Sequence, residues 1–285
     1  MVEAITPETQ AHIDREVSVA LAEDIGQGDL TAALIPEGQS AEARIISRAP
    51  GVLAGTPWVD AVFQRLCGGV SLTWHARDGD PVGPDQLLCE LRGPARCLLS
   101  GERCALNFLQ TLSGTASATR RFTEAVAGQP VRILDTRKTL PGLRLAQKYA
   151  VRQGGGANHR IGLYDAVLIK ENHIAAAGSI PAAINQARAH GAGQWVEVEV
   201  ENLAQLHEAL DAGADRVMLD NFDLATLREA VAVNAGRARL EASGGITLET
   251  VRDVAATGVN DISVGSLTKD VQSLDLSMLF TNGPS

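Results

Sequence analysis

From Val131 onward the chain alternates short β-branched runs with amphipathic stretches, and few architectures accommodate that rhythm. Strands joined through helical crossovers lie parallel, because each helix carries the chain back to the starting edge of the sheet. Strands are predicted at Val131 to Asp135, Ala166 to Lys170, Trp195 to Val200, Arg216 to Asp220, Arg239 to Ala242 and Asp261 to Val264. Helices are predicted at Ser179 to His190, Leu203 to Ala212, Leu224 to Asn234 and Leu248 to Thr257. Gly191, Gly213, Gly236 and Gly258 follow them, where a left-handed cap is wanted. Six such units, preceded by a helix at about Leu98 to Val126, predict a closed or nearly closed α/β barrel. A doubly wound open sheet is the alternative, but the G-x-G-x-x-G turn of its dinucleotide-binding version is missing after the first strand.

The first hundred residues follow a different pattern. An amphipathic helix near His12 to Asp24 precedes short strands with turns at Pro50-Gly51, Asp78-Gly79-Asp80 and Gly83-Pro84. We therefore expect an N-terminal α+β domain at residues 1–104, a barrel at 105–268, and a C-terminal segment, 269–285, packed back on the N-terminal domain. With 45% apolar and 21% charged residues, the chain of 285 residues has material for such cores, which excludes a disordered protein. No stretch reaches the roughly 18–20 apolar residues of a membrane span, and the first residues lack the basic-then-apolar pattern of a leader. A soluble, cytoplasmic protein is expected. Cys67, Cys89, Cys97 and Cys104 form no C-x-x-C pair and are expected to be buried free thiols.

A net charge of −9 argues against a surface built for nucleic acid. The charge is unevenly spread, however. Residues 132–173 hold eight Lys or Arg against three Asp or Glu, a net of +5, which leaves −14 for the rest.

In an α/β barrel the reactive groups collect at the carboxyl ends of the strands, and phosphate is held by Gly-rich loops after the last two. Here those strands run into Ala242-Ser243-Gly244-Gly245 and Ser263-Val264-Gly265-Ser266, whose backbone N–H groups can approach phosphate oxygens. A tight turn accounts for either loop alone; the pair points to a phosphate site. Glu197, Glu199 and Glu201 alternate onto one face of their strand, and Asp220 ends the next. Carboxylates facing a barrel interior need cations or hydroxyls. A hard divalent cation such as magnesium (Mg2+) fits beside a phosphate, and a salt-bridged interior is the alternative. The first two strands supply the opposite charge, with Thr136-Arg137-Lys138 after one, Lys170 ending the other, and Asn158-His159-Arg160 between them behind Gly154-Gly155-Gly156. Such a cluster suits an anion with several carboxylates or phosphates, whereas Arg144 and Arg152 on the intervening helix are expected to face solvent.

Several of these segments carry a family likeness. Asp135-Thr136-Arg137-Lys138-Thr139-Leu140-Pro141-Gly142, Lys148-Tyr149-Ala150-Val151, Gly154-Gly155-Gly156, Asn158-His159-Arg160 and Leu168-Ile169-Lys170-Glu171-Asn172-His173 together resemble the quinolinate phosphoribosyltransferases, also called carboxylating nicotinate-nucleotide pyrophosphorylases. Residues 102–110, 197–202, 219–221 and 243–246 extend the likeness over nearly the whole chain, with Cys104 standing where that pattern has Thr.

The resemblance implies phosphoribosyl transfer from phosphoribosyl pyrophosphate to quinolinate with decarboxylation. The products are nicotinate mononucleotide, CO2 and pyrophosphate, in de novo NAD biosynthesis and with Mg2+. It further implies an incomplete, about seven-stranded TIM-like α/β barrel beside an N-terminal α+β sandwich. The assembly would be a homodimer, or a higher oligomer, in which Arg103 acts in the partner's site. Carried over residue by residue, Arg103, Thr136, Arg137, His159, Arg160 and Lys170 would hold quinolinate. Lys138, Glu199, Asp220, Ser243, Gly244, Gly245, Ser263, Val264 and Gly265 would hold phosphoribosyl pyrophosphate, with Glu199 and Asp220 at the metal. Lys138, Lys170, Glu199 and Asp220 form the expected catalytic set. Three rivals stay open: a related nicotinate phosphoribosyltransferase without decarboxylation, a barrel aldolase with a Schiff base on Lys170, and a non-catalytic sensor of pyridine carboxylates.

Overall fold

A computed structural model describes residues 5–191 and 195–282, so the last three residues of the expected C-terminal segment lie outside the described part. In chain order the elements begin α1 (Pro7–Ile25), β1 (Ser40–Ser47), β2 (Gly51–Val52), α2 (Thr56–Cys67), β3 (Ser71–Trp74), β4 (Pro81–Val82), β5 (Leu87–Pro94) and α3 (Ala95–Ala125). They continue with β6 (Arg132–Leu134), α4 (Arg144–Gln153), β7 (Val167–Ile169), α5 (Glu171–Ala177), α6 (Ile180–Ala189), β8 (Val196–Val200) and α7 (Leu203–Asp211). The remainder is β9 (Arg216–Asp220), α8 (Leu224–Asn234), β10 (Arg239–Ser243), α9 (Val251–Ala255), β11 (Asp261–Ser263), α10 (Ser266–Lys269) and β12 (Leu276–Asn282).

Two compact units result. One comprises Met1–Arg120, Leu140–Gly155 and Asp270–Ser285, the other Arg121–Thr139 and Gly156–Lys269. The division falls inside α3 rather than at residue 104, because that helix runs unbroken and changes core along its length. Leu98, Leu106, Leu109 and Leu112 pack into the N-terminal core, whereas Phe122 joins the barrel core.

The first unit is built on an antiparallel sheet in the order β12-β1-β5-β3. Alternation along β1 turns Ala41, Ala43 and Ile45 inward, against Ile13 and Val17 of α1 and Trp58 and Phe63 of α2. The buried carboxylate of Asp78 is fully used. It accepts from the backbone N–H groups of Gly55 (2.9 Å) and Thr56 (3.2 Å) at the start of α2 and from the Tyr149 hydroxyl (2.7 Å) of α4. The expectation of four free thiols is corrected here. Cys67 and Cys97 form a disulfide between the end of α2 and the first turn of α3, with their Cα atoms 6.5 Å apart, and Cys67 is exposed. They meet because α2 and α3 pack closely, a Cβ on Gly101 falling 2.6 Å from the Phe63 ring. Cys89 and Cys104 are free and buried; burial pushes their thiols up to about 12 and about 11, which keeps both unreactive.

The second unit holds six parallel strands in the order β6-β11-β10-β9-β8-β7. Neighbours run in sequence from β7 to β11, and the earliest strand, β6, lies against the latest. That circular order belongs to a barrel; a doubly wound sheet would reverse its strand order at a switch point. The remaining gap is between β6 and β7. On the gap side of β6, Ala157 makes a single parallel bridge to Leu134, its N–H donating to the Ile133 carbonyl (2.8 Å) and its carbonyl accepting from Asp135 (3.1 Å). Six strands and this one-residue bridge make the incomplete α/β barrel. Strand β9 and helix α8 match their expected bounds, while α9 is shorter than 248–257 because a turn, with the Thr250 N–H on the Thr247 carbonyl at 3.2 Å, precedes it. No helix among the described residues is long and apolar enough to cross a membrane.

Candidate active site

Parallel register sets equivalent phases on one face of the sheet. Glu197 pairs with Arg216, Met218 with Glu241, Glu241 with Asp261, and Asp261 with Arg132. Charged residues of five neighbouring strands therefore meet on the same side.

They form an ion network. The Arg216 guanidinium reaches Glu197 (3.3 Å), Glu241 (2.9 Å) and Asp261 (3.1 Å) and lies 4.9 Å from the centroid of the Trp195 ring. Arg132 and Arg239 each contact both oxygens of Asp261, at 2.7 and 3.2 Å and at 3.0 and 3.0 Å. Three carboxylates with no exposed surface thus face three guanidinium groups, which offsets the cost of burying each ion. His159 Nε2 lies between Glu197 (2.8 Å) and Glu241 (3.3 Å). Burial disfavours a charged ring there, yet the bonds to Glu197 and Glu241 push His159 up to about 9. The Arg160 N–H, 2.8 Å from Nδ1, favours a lone pair instead. Two charged oxygens outweigh one neutral amide, so the imidazolium is the form at neutral pH. Burial and the Glu241 charge raise Glu197, whereas Glu241 is held low, against burial, by His159, Ser263 and Arg216. His159, Glu197 and Glu241 have the spacing of a metal-binding trio, but Arg216 already sets a cation on both carboxylates.

Toward the carboxyl ends of the strands the groups change character. Lys170 Nζ pairs with Glu199 Oε2 across β7 and β8. His173 Nδ1 accepts from the Lys170 backbone N–H (3.0 Å), so the Lys170-to-His173 motif fixes the entry to α5 and with it the lysine's backbone. Asp135, fully buried at the end of β6, accepts from Asn158 Nδ2 (2.6 Å) and from the His159 N–H (2.9 Å). That carboxylate clamps the loop carrying His159 and Arg160. Arg160 is half-buried; burial first and the neighbouring Arg137 charge second hold its pKa below the usual arginine value. Two guanidinium groups within electrostatic reach of each other make a place for a multiply charged anion.

The two Gly-rich loops adjoin this place. Thr136 Oγ1 accepts from the Lys138 N–H (3.0 Å), Thr268 donates to the Lys138 carbonyl (2.8 Å), and a Cβ on Gly265 would meet Lys138 Cδ at 3.1 Å. Lys138 therefore lies over the Gly265 loop. Ser243 pairs in register with Asp220, and Gly244 and Gly245 take φ values of 105° and 59° beside a cleft of about 320 Å³. Glu199 and Asp220 end neighbouring strands, each with a carboxylate oxygen outside its pair with Lys170 or Asn221. Two hard oxygen donors of this kind suit Mg²⁺, which takes one or two carboxylates beside substrate phosphate.

One barrel thus carries Thr136, Arg137, Lys138, His159, Arg160, Lys170, Glu199, Asp220 and both loops at its strand ends and their connections. His159 sits deeper than the sequence suggests, and Ser263 and Val264 are buried, leaving Gly265 the accessible member of its loop. Arg103 belongs to the first unit, where it is exposed on α3. Of the three glutamates on β8 and its end, Glu197 follows the salt-bridged alternative, Glu199 meets Lys170, and Glu201 is exposed. Arg152 faces solvent as expected, but Arg144 is half-buried. Arg216, Glu241 and Asp261 were not foreseen as a set; their signal is a charged residue inside an otherwise apolar strand.

The quinolinate phosphoribosyl transferase C-terminal domain profile matches residues 115–279, and the N-terminal domain profile matches residues 29–113. A protein of Bacillus subtilis (strain 168) named probable nicotinate-nucleotide pyrophosphorylase (carboxylating) is 49% identical over 258 residues, covering 90% of this chain and 89% of that one. The quinolinate phosphoribosyltransferase (decarboxylating) 1b of Nicotiana tabacum is 39% identical, covering 92% of this chain and 80% of its own. The solved nicotinate-nucleotide pyrophosphorylase of Francisella tularensis superposes with a TM-score of 0.93 at 43% identity, covering 99% of this chain and all of that one. Two successive domains of a single family account for both parts of the sequence, and the chain belongs to the quinolinate phosphoribosyltransferases.

Proposed function

We propose that the chain transfers the phosphoribosyl group of phosphoribosyl pyrophosphate to the ring nitrogen of quinolinate and releases CO2, yielding nicotinate mononucleotide and pyrophosphate for NAD biosynthesis. The observation that carries this is the meeting, at the strand ends of one barrel, of Arg137, Arg160 and Lys170 with Glu199, Asp220 and two Gly loops. A dicarboxylate needs the first set and a phosphorylated ribose the second.

Arg137, Arg160 and Lys170 take the quinolinate carboxylates, with Thr136 beside them and the loop of His159 and Arg160 held by Asp135. Lys170 exchanges Glu199 for a substrate carboxylate, which releases Glu199 to a ribose hydroxyl. Lys138 faces the pyrophosphate, and the loops at Ser243-Gly244-Gly245 and Ser263-Val264-Gly265 hold the 5′-phosphate by backbone N–H groups. Glu199 and Asp220 would hold Mg²⁺, which would supply neutralising charge to the pyrophosphate. As the nitrogen–carbon bond forms and the bond from the anomeric carbon to the pyrophosphate oxygen breaks, Glu199 and Asp220 stabilise positive charge at that carbon. The ring nitrogen, now cationic, accepts the electron pair left when the 2-carboxylate departs, and a proton completes the product. The working form in this proposal is a cytoplasmic homodimer, or a higher oligomer, in which Arg103 of one subunit serves the other's site, with no nucleic-acid or membrane partner.

Quinolinate labelled in its 2-carboxyl group tests the reaction. Labelled CO2 released only with phosphoribosyl pyrophosphate present is the expected result; nicotinate converted to its mononucleotide with no such release would overturn it. Mixing inactive Arg103→Ala and Lys170→Ala chains restores activity if Arg103 acts between subunits, and restores none if it does not.

A further inference from the structure

Asn221 stands just past β9 with φ of +56°, in the left-handed region that L-residues avoid. Glycine would occupy that backbone without strain, and Asn is among the few other residues that tolerate it. A side chain kept there has contacts that offset the strain, and two are present, beside one backbone bond. The carboxamide Nδ2 donates to Asp220 Oδ2 at 2.7 Å. The backbone N–H donates to the Ser243 carbonyl at 2.9 Å. The carboxamide oxygen fills the space beside Gly244, where a Cβ would come within 2.1 Å of it. One residue thus touches both the acid at the ribose position and the neighbouring Gly loop.

From this juxtaposition we infer that Asn221 is a positioning residue that holds Asp220 and the Ser243-Gly244-Gly245 loop in one arrangement for the phosphoribosyl group, an inference that rests on the phosphoribosyltransferase reading. The choice of a neutral donor matters. A Lys or Arg in this place would fix the Asp220 carboxylate equally well but would compete with the Mg²⁺ and the ribose hydroxyl proposed for it. A carboxamide sets the direction of the carboxylate and leaves its charge in place. Asn221 is exposed, so burial does not account for its bond to Asp220. The same contact gives Gly244 a reason beyond its φ of 105°, since any larger residue would displace the Asn221 carboxamide.

Two variants separate this role from packing. Asn221→Gly relieves the backbone and removes the donor; Asn221→Asp keeps the shape and sets a second carboxylate against Asp220. Calorimetric binding of phosphoribosyl pyrophosphate and the KM of each substrate are measured on the intact protein, with the melting temperature as a control. The expected result is weaker binding of phosphoribosyl pyrophosphate, on the order of 10- to 100-fold in Asn221→Gly and more in Asn221→Asp, with the quinolinate KM changed by less than about twofold. Asn221→Asp binding as tightly as the parent would reduce the residue to a space filler, and unchanged binding in Asn221→Gly would leave it no role. An equal loss for both substrates would mean general disorder of the site. Each of these three outcomes overturns the inference. A parent protein that releases no CO2 from quinolinate would instead remove the activity on which it rests.

Discussion

Arg216→Met would remove the one guanidinium, among the described residues, that touches all three carboxylates of the buried ion network. Its side chain is 10% exposed and lies 3.3, 2.9 and 3.1 Å from Glu197, Glu241 and Asp261. Asp261 would retain Arg132 and Arg239, so the uncompensated charge falls on Glu197 and Glu241, with His159 between them. Leaving buried charge without its partner costs about 3–5 kcal/mol. For a chain of this size each kcal/mol lowers the melting temperature by roughly 2–4 °C, so a fall on the order of 10 °C is expected. The loss should depend on pH. Glu197, already raised by burial and by the Glu241 charge, loses a neighbour that lowers it, so its penalty is absent below the unfolded value and grows as pH rises through the folded one. Melting followed by circular dichroism should show a wide gap between variant and parent near pH 7.5 that narrows toward pH 5. A gap below about 3 °C at pH 7.5, or one independent of pH, would refute the view that Arg216 neutralises these acids.

Three further outcomes are expected. Lys170→Ala should lower kcat/KM for quinolinate by roughly 100-fold or more, and borohydride should leave Lys170 of the parent unmodified in the presence of carbonyl compounds; a reduced adduct would favour a Schiff-base enzyme. Because His159 is raised from 6.5 to about 9, its contribution is complete below pH 6.5 and disappears as pH rises through 9. Urea titrations from pH 6 to 10 should therefore show a loss of about 3 kcal/mol that His159→Gln abolishes. Without reductant, Cys67→Ser should lose about 3–4 kcal/mol, because the Cys67–Cys97 bond closes a loop with a sequence separation of 30, and the unfolded parent should titrate two thiols before reduction and four after.

The barrel was legible because β-branched runs and Gly-capped helices recur with the period that a parallel sheet requires, and β9 and α8 fall where that period sets them. The placing of Lys170, Glu199 and Asp220 at or near strand ends was legible because the strand bounds follow from the same period. The fate of Glu197 was not. Register, which local pattern does not encode, sets it opposite Arg216, 19 positions later, whose guanidinium also reaches Glu241. The depth of His159 depends on the Asp135 clamp, a contact between two loops. The cysteine pairing escaped for a similar reason, since it follows from the packing of α2 on α3 at Gly101 and leaves no trace in spacing.

The pairing of β1 with β12 bears on how the protein is made. Arg44 lies opposite Leu279, so a strand among the first to leave the ribosome finds its neighbour only after the whole barrel has been synthesised. At about 5–20 residues per second, β1 spends on the order of 10–50 s as an uncovered edge, the kind of surface that invites association with other nascent chains. Message truncation or a stalled ribosome beyond residue 269 would release a chain with every barrel strand present and the antiparallel sheet still open. Recombinant yield should respond more to translation speed and chaperone supply than to the stability of the finished barrel.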